Sequence, residues 1–247
     1  MNVRRVARIT GTALVVGGVL ALIWVGVVWR WQDPFTALYT TYQQHRLSAS
    51  LDQRLADYVP VPRGHTTGKG WVIGEERLVA REGRRYRKSL KEGEALGRLK
   101  VPRLHLSIVV VVGTNHDDLT KGPGWYRGTY LPGEGQLVYI AGHRTTYLAP
   151  FAHINALRRG DRVTLELPYA TFVYRISGHV IVPSGDVARL RSHGHEMVAL
   201  QACHPRFFAT HRYIAYALPL RVLPRGGRAY AVGSAGITAR SLATARA

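Results

Sequence analysis

The chain contains one cysteine, and the residues around it point to acyl chemistry. Cys203 closes the apolar run MVALQA, so a strand here would place its side chain where backbone hydrogen bonding ends. Arg212 opens the run RYIAYAL nine residues later, and a hairpin between the two runs would return it to Cys203. His143 follows a third run, QLVYIA, directly after a glycine. A thiolate can attack a carbonyl, an imidazolium can protonate a leaving amine and a guanidinium can stabilise an oxyanion, so the set predicts acyl transfer.

Each of these three residues also has a purely structural interpretation. A free cysteine in a strand is more often a small buried hydrophobe than a nucleophile. An arginine at a strand start is usually solvated, and a histidine after a glycine is usually a loop residue. If the domain is exported, however, an unused thiol is an oxidation liability, which favours a functional cysteine.

Histidines close to Cys203 in sequence raise a metal site as an alternative. A thiolate and the imidazoles of His193, His195 and His204 could bind zinc, but the chain has no HExxH motif and no second thiol. The sequence therefore predicts neither a metal nor a cofactor. One cysteine also excludes an intramolecular disulfide framework.

The elements that must position these residues begin near Leu99. From there the chain shows short β-branched runs with Gly and Pro between them, and VTLEL and FVYRI flank the turn PYAT as in a hairpin. Residues 117–120, 154–157 and 187–190 are candidates for single helical turns. No repeated helix of crossover length is present, so the pattern favours an all-β antiparallel barrel or sandwich over an α/β sheet.

An uncharged run of about 20 residues near the amino terminus predicts a membrane anchor. Residues 9–28 read ITGTALVVGGVLALIWVGVV, long enough to cross about 30 Å of hydrocarbon, and Trp29 rather than a small-residue cleavage site follows. Arg4, Arg5 and Arg8 precede the run, which keeps residues 1–8 cytoplasmic and exports the rest. We assign the anchor to residues 9–29. Trp24, Trp29 and Trp31 fit an outer interfacial belt.

Outside the anchor and the strand-rich part, the chain divides into a stalk, a linker and a tail. Leu38, Tyr42, Leu47, Leu51 and Leu55 recur at helical spacing, which predicts an amphipathic stalk helix. Residues 63–97 are rich in Arg, Lys, Glu and Gly, as a solvated linker is, so 30–95 is assigned to stalk and linker. The catalytic domain is expected over 96–223. Residues 224–247 are Gly, Ala, Ser and Arg without periodicity and are expected to be disordered.

The chain is strongly basic. Lys and Arg number 34 against 15 Asp and Glu, a formal net charge of +19, which attracts polyanions. An external location makes nucleic acid an unsuitable partner and leaves wall polymers or the membrane surface.

Two long segments resemble the sortases, most closely the class E sortases of high-GC Gram-positive bacteria. These are AGHRTTYLAPFAHI, which contains His143, and LQACHPRFFATHRYIAYA, which contains Cys203 and Arg212. The resemblance extends over residues 93–223. It implies a closed eight-stranded barrel in which Cys203 is the nucleophile, His143 the catalytic histidine and Arg212 the oxyanion-stabilising, substrate-holding arginine.

The resemblance also implies a reaction. Sortases cut a carboxy-terminal sorting signal of the Leu-Pro-x-Thr-Gly type, or Leu-Ala-x-Thr-Gly for class E, between Thr and Gly. A lipid-linked peptidoglycan precursor or a wall peptide amine then receives the acyl group. The expected partners are therefore surface proteins with sorting signals, that amine and the membrane.

The chain departs from the family pattern just before the nucleophile. Sortases usually carry Thr at one of the two positions where Gln201 and Ala202 stand here, which puts motif preference in doubt more than activity. It also supports the alternative of a catalytically silent, anchored module that binds anionic wall polymers.

Overall fold

The computed structural model describes residues 3–31, 34–63, 70–233 and 236–243. The remaining parts of the predicted cytoplasmic segment, linker and tail lie outside the described residues, as do the side chains of Trp29 and Trp31. Five α-helices are described: α1 (Val3–Trp31), α2 (Pro34–Ala56), α3 (Trp71–Ser89), α4 (His116–Leu119) and α5 (Ala239–Ala243). The nine strands described are β1 (Ala95–Val101), β2 (Leu106–Val112), β3 (Gly124–Trp125), β4 (Leu137–Ala141), β5 (Arg162–Glu166), β6 (Ala170–Pro183), β7 (Met197–His204), β8 (His211–Pro224) and β9 (Tyr230–Ala231).

Eight of these strands close a barrel. They pair in the order β6-β5-β1-β2-β3-β4-β7-β8, and β8 pairs back onto β6, while β9 pairs with residues 221 and 222 of β8, beyond the stretch of β8 that β7 covers. The closed eight-stranded barrel is thus confirmed, including the β5–β6 and β7–β8 hairpins. The expectation of purely antiparallel pairing differs from the structure, because β2 with β3 and β4 with β7 are parallel.

Side chains of β7 point alternately into the barrel core and to the outer face of the sheet. Val198, Leu200 and Ala202 point into the barrel core and are fully buried. Ala199 belongs to a second apolar cluster, on the opposite face of the sheet, with Tyr139 and other residues of β4, β6 and β8. Cys203 has the same parity as Ala199 and therefore lies on that outer face.

Helix α1 has the length and composition of a membrane span. Its segment Arg4–Val27 is apolar and unburied in the protein, and among the described residues it is the one helix that meets this description. The hydroxyls of Thr10 and Thr12 donate to carbonyls one turn earlier, so these hydroxyls are hydrogen-bonded within the helix.

The predicted stalk helix exists as α2, but its buried face differs from the predicted one. Leu47 and Leu51 pack on β1 and β2 as expected. Towards the amino terminus, however, Thr40 and Gln44 face the barrel, whereas Leu38 and Tyr42 are 73% and 60% exposed. The reason is hydrogen bonding: the amide of Gln44 donates to and accepts from the backbone of β2.

The segment expected to be a solvated linker contains a docked helix. One side of α3 is buried, including Glu75, Val79, Glu82 and Tyr86, and the Tyr86 hydroxyl donates to the carbonyl of Leu96 at 2.8 Å. The charged composition predicted a solvated segment, but several of these charges are paired inside the protein.

The disorder expected over residues 224–247 is not found in the described part of that segment. Strand β9 pairs with β8, and Tyr230 and Ile237 are buried in the main core. The backbone N–H of Glu196 donates to the carbonyl of Ile237 at 2.8 Å, which ties the segment to the start of β7.

Candidate active site

The β7–β8 hairpin places Cys203 opposite Arg212. The two are direct cross-strand partners, at the end of β7 and the second residue of β8. Directly opposed residues in an antiparallel pair project to the same face. The Cys203 side chain is partly exposed rather than sealed in the core.

Strand β4 brings His143 to the same end of the sheet. It runs parallel to β7 with Ala141 beside Gln201, and the N–H of Gly142 continues the ladder by donating to the carbonyl of Gln201 at 2.9 Å. His143 follows at the level of Cys203. Position 142 requires glycine, because a Cβ there would lie 2.7 Å from the ring of Phe151, whose N–H donates to the carbonyl of His143.

These three side chains line one open cleft of about 340 Å³. Its floor is the outer face of β4, β6, β7 and β8, and the segment between β6 and β7 forms one wall. The lining residues are Thr114, Leu119, Tyr126, Tyr139, Ala141, Gly142, His143, Val182, Ser184, Asp186, Val187, Leu190, Gln201, Cys203, Arg212 and Ile214. A cavity of about 780 Å³ between α2 and α3 is larger but is lined by no thiol. The arrangement in the smaller cleft can therefore support attack of a thiolate on a carbonyl.

The environment of His143 favours its neutral form. Burial lowers the pKa of His143, and the nearby His116 lowers it further. The Nε2 atom is buried and has no hydrogen-bond partner among the described residues. The ring lies 5.1 Å from the Tyr147 ring, tilted by 36°. The imidazole thus keeps one nitrogen unengaged for proton exchange.

Replacing His116 by glutamine should raise the pKa of His143 towards its usual value, because a neighbouring positive charge is removed while burial remains. The check is an NMR titration of the His143 ring in both forms of the full chain. His105→Gln serves as the control, since His105 lies in the turn between β1 and β2. An unchanged His143 titration in His116→Gln would show that burial alone sets this pKa.

Comparison with known proteins identifies the domain. A family model described as the sortase domain matches residues 99–220, a range that begins within β1, ends within β8 and includes every residue that lines the cleft. The chain carries a domain of the sortase family. Sortase D of Bacillus subtilis (strain 168) is 35% identical over 128 residues, which are 50% of this chain and 63% of that relative. The chain thus spans a little under two thirds of that curated relative's length.

Solved sortase structures share the architecture. Sortase E from Streptomyces avermitilis is 29% identical, with a TM-score of 0.50 over 56% of this chain and 97% of that one. The Clostridium perfringens sortase D5 transpeptidase superposes with a TM-score of 0.57 over 72% of this chain and 99% of that one. At 18% identity the second match supports the fold alone.

Sequence reasoning missed one buried cation in this sortase domain. Arg144 is 6% exposed, and its guanidinium donates to the carbonyl of Cys203 at 3.1 Å and to Asn155 Oδ1 at 2.8 Å. It also lies 2.9 Å from Nδ1 of His204. Burial lowers the pKa of Arg144, and nearby Arg206 adds to this effect. Arg144 therefore fixes the backbone that carries the thiol. Its place next to His143 in sequence was the only available signal.

The two residues that depart from the sortase pattern occupy different environments. Gln201 lines the cleft beside Cys203, whereas Ala202 is fully buried in the barrel core. Of these two residues, only Gln201 is therefore placed to contact a bound peptide.

The alternative metal site near Cys203 is not assembled. Within the part of the chain that the structure describes, no three His, Cys, Asp or Glu side chains converge as ligands, so His193, His195 and His204 form no such cluster.

Proposed function

We propose that this protein is a membrane-anchored cysteine transpeptidase that cleaves a carboxy-terminal sorting signal of the Leu-Pro-x-Thr-Gly or Leu-Ala-x-Thr-Gly type between Thr and Gly. The observation that carries the proposal is the single cleft lined by Cys203, His143 and Arg212. Membership of the sortase family supports it.

In the first half-reaction the thiolate of Cys203 attacks the threonine carbonyl, and the guanidinium of Arg212 donates hydrogen bonds to the resulting oxyanion. His143 reacts in its protonated form, which its lowered pKa makes the less populated one, and gives its proton to the glycine nitrogen as the Thr–Gly bond breaks. A thioester and a free glycine amine result, and His143 is left neutral.

In the second half-reaction an acceptor amine attacks the thioester and transfers its proton to neutral His143. The new amide forms as the thiolate leaves, so both catalytic groups return to their starting states. We propose that the amine belongs to a lipid-linked peptidoglycan precursor or a wall peptide, and that the donors are surface proteins with sorting signals.

The amino-terminal charges support the proposed orientation. Arg4, Arg5 and Arg8 hold the start of α1 in the cytoplasm, and the domain that follows α1 then lies outside the membrane. The excess of 19 positive charges suits a surface rich in anionic polymers, and nucleic acid is not among the proposed partners.

The test is detection of the acyl-enzyme. Full-length protein in detergent micelles is incubated with a sorting-signal peptide and analysed by intact-mass spectrometry, with hydroxylamine then added as an amine acceptor. A mass increase equal to the peptide through threonine minus one water, lost again as a hydroxamate when hydroxylamine is added, supports the proposal, and Cys203→Ala is the negative control. Absence of the adduct with peptides of both signal types would contradict it.

A second candidate function is a catalytically silent module that binds wall polymers, and the absence of threonine just before Cys203 favours it. That candidate predicts no adduct, and it predicts equal binding of an anionic wall polymer by wild type and Cys203→Ala.

Replacing Arg212 by lysine should lower kcat/KM for the sorting peptide by about 10²–10³-fold, because lysine keeps the charge but loses the planar pair of donors. The guanidinium is held by the carbonyls of Ala209 and His211, at 2.8 and 3.0 Å from Nη1, and an ammonium cannot reproduce that geometry while also reaching an oxyanion.

Arg221→Lys is the matched control, because Arg221 is an exposed arginine on the same strand, far from the cleft. It should leave peptide kinetics unchanged. Equal rates for Arg212→Lys and wild type would remove Arg212 from the mechanism.

A further inference from the structure

The loop between β7 and β8 exposes two adjacent phenylalanines. Phe207 and Phe208 are 56% and 77% exposed, so two large apolar rings face outwards from the protein. The guanidinium of Arg206 lies 5.6 Å from the centre of the Phe207 ring. An apolar pair with an adjacent basic residue is typical of segments that contact a lipid interface.

The position of the membrane relative to this loop follows from chain length. Helix α1 ends at Trp31, and five residues later the hydroxyl of Thr36 accepts a hydrogen bond from the N–H of Tyr147. Five residues span at most about 18 Å. Tyr147 packs against the ring of His143, so the span leaves the bilayer close to the catalytic end of the barrel.

The first turns of α2 support the same placement. Leu38 and Tyr42 are exposed there because polar residues make the contact with the barrel. They follow directly after the span in the chain, where a bilayer surface is within reach. Further along α2, Leu47 and Leu51 are covered by protein.

The β7–β8 loop leaves the barrel from this same end, since it begins just after Cys203 and returns at Arg212. We propose that Phe207 and Phe208 insert into the boundary between the headgroups and acyl chains of the bilayer, and so hold the open cleft at the membrane surface. The partner is a phospholipid bilayer. The inference rests on α1 spanning that bilayer and is independent of the proposed catalysis.

Spin labelling of the full chain tests the proposal. Cys203→Ala removes the native thiol, and Phe208→Cys then carries the only nitroxide in protein reconstituted into nanodiscs of phosphatidylcholine and phosphatidylglycerol. The ratio of oxygen to nickel-chelate accessibility measures depth. We expect this ratio to be several-fold higher at position 208 than at a control label. A label at 207 repeats the test independently.

Leu223→Cys in the same background is the matched control. Leu223 is also an exposed apolar residue, and it lies at the far end of β8, eleven residues or about 36 Å along the strand from Arg212. Equal ratios at 208 and 223 would overturn the proposal. A label at 208 shielded from both reagents would overturn it too, since the loop would then cover its own cleft or another protein segment. Because the background lacks the thiol, failure of the transpeptidase proposal would not alter these outcomes.

Discussion

Alanine in place of Cys203 is expected to lower kcat/KM for a sorting-signal peptide by at least about 10⁴-fold, to the level of a background reaction. No other thiol exists in the chain, so no alternative nucleophile of that type can take over. The side chain removed is small and partly exposed, and the fold should therefore survive the change. Fluorogenic peptide cleavage by the full-length protein in micelles provides the measurement.

Cys203→Ser separates chemistry from packing, because a hydroxyl replaces the thiol at nearly the same volume but is a far weaker nucleophile at neutral pH. It should be as inactive as Cys203→Ala. Gln201→Ala is the matched control in the same strand and cleft, and it should alter KM or motif preference while retaining turnover. Equal product release by wild type and both Cys203 variants would contradict the transpeptidase proposal and favour the polymer-binding module.

The candidate site was largely predictable because its residues stand at strand ends. One apolar run ends at Cys203 and the next begins at Arg212, a pattern that predicts a hairpin between two strands. In the structure β7 and β8 form that hairpin, with Cys203 opposite Arg212. The placement of His143 needed more. It depends on parallel pairing of β4 with β7, a long-range contact that no local pattern encodes. The sequence indicated only that a closed barrel could bring His143 to the same rim, and the family resemblance implied its role.

Helix α3 and the carboxy-terminal segment were not predictable, for an electrostatic reason and a topological one. Helix α3 turns glutamates inward, and a hydrophobic pattern cannot show that a charged face is buried. The carboxy-terminal segment is held by strand pairing and by two isolated apolar anchors, Tyr230 and Ile237, too few to produce a periodic signal.

The two buried glutamates of α3 pair with the same arginine, Arg63, which lies in the segment after α2. Arg63 is 6% exposed at its side chain and pairs with Glu75 and Glu82, whose side chains are 8% and 0% exposed. Glu82 also accepts from the Tyr58 hydroxyl at 2.9 Å and from the N–H of Val61 at 3.2 Å. The segment after α2 and the face of α3 therefore form one buried polar unit, and the barrel and its helical extension should unfold together.

Replacing Arg63 by methionine is expected to destabilise the protein by about 3–5 kcal/mol, because two buried carboxylates lose their cation while the apolar stem is kept. Urea denaturation of the full chain in micelles measures the loss.

Asp52→Asn is the control, since it breaks the Arg98–Asp52 pair, in which the side chains are 26% and 60% exposed, and should cost under about 1 kcal/mol. If Arg63→Met cost no more than this, the pairing seen around Arg63 would contribute nothing to folding. The helical extension would then be an independent stalk. A large loss in the same transition as the barrel would instead establish that the membrane-proximal helices are part of the catalytic domain, which is what a fixed distance between span and cleft requires.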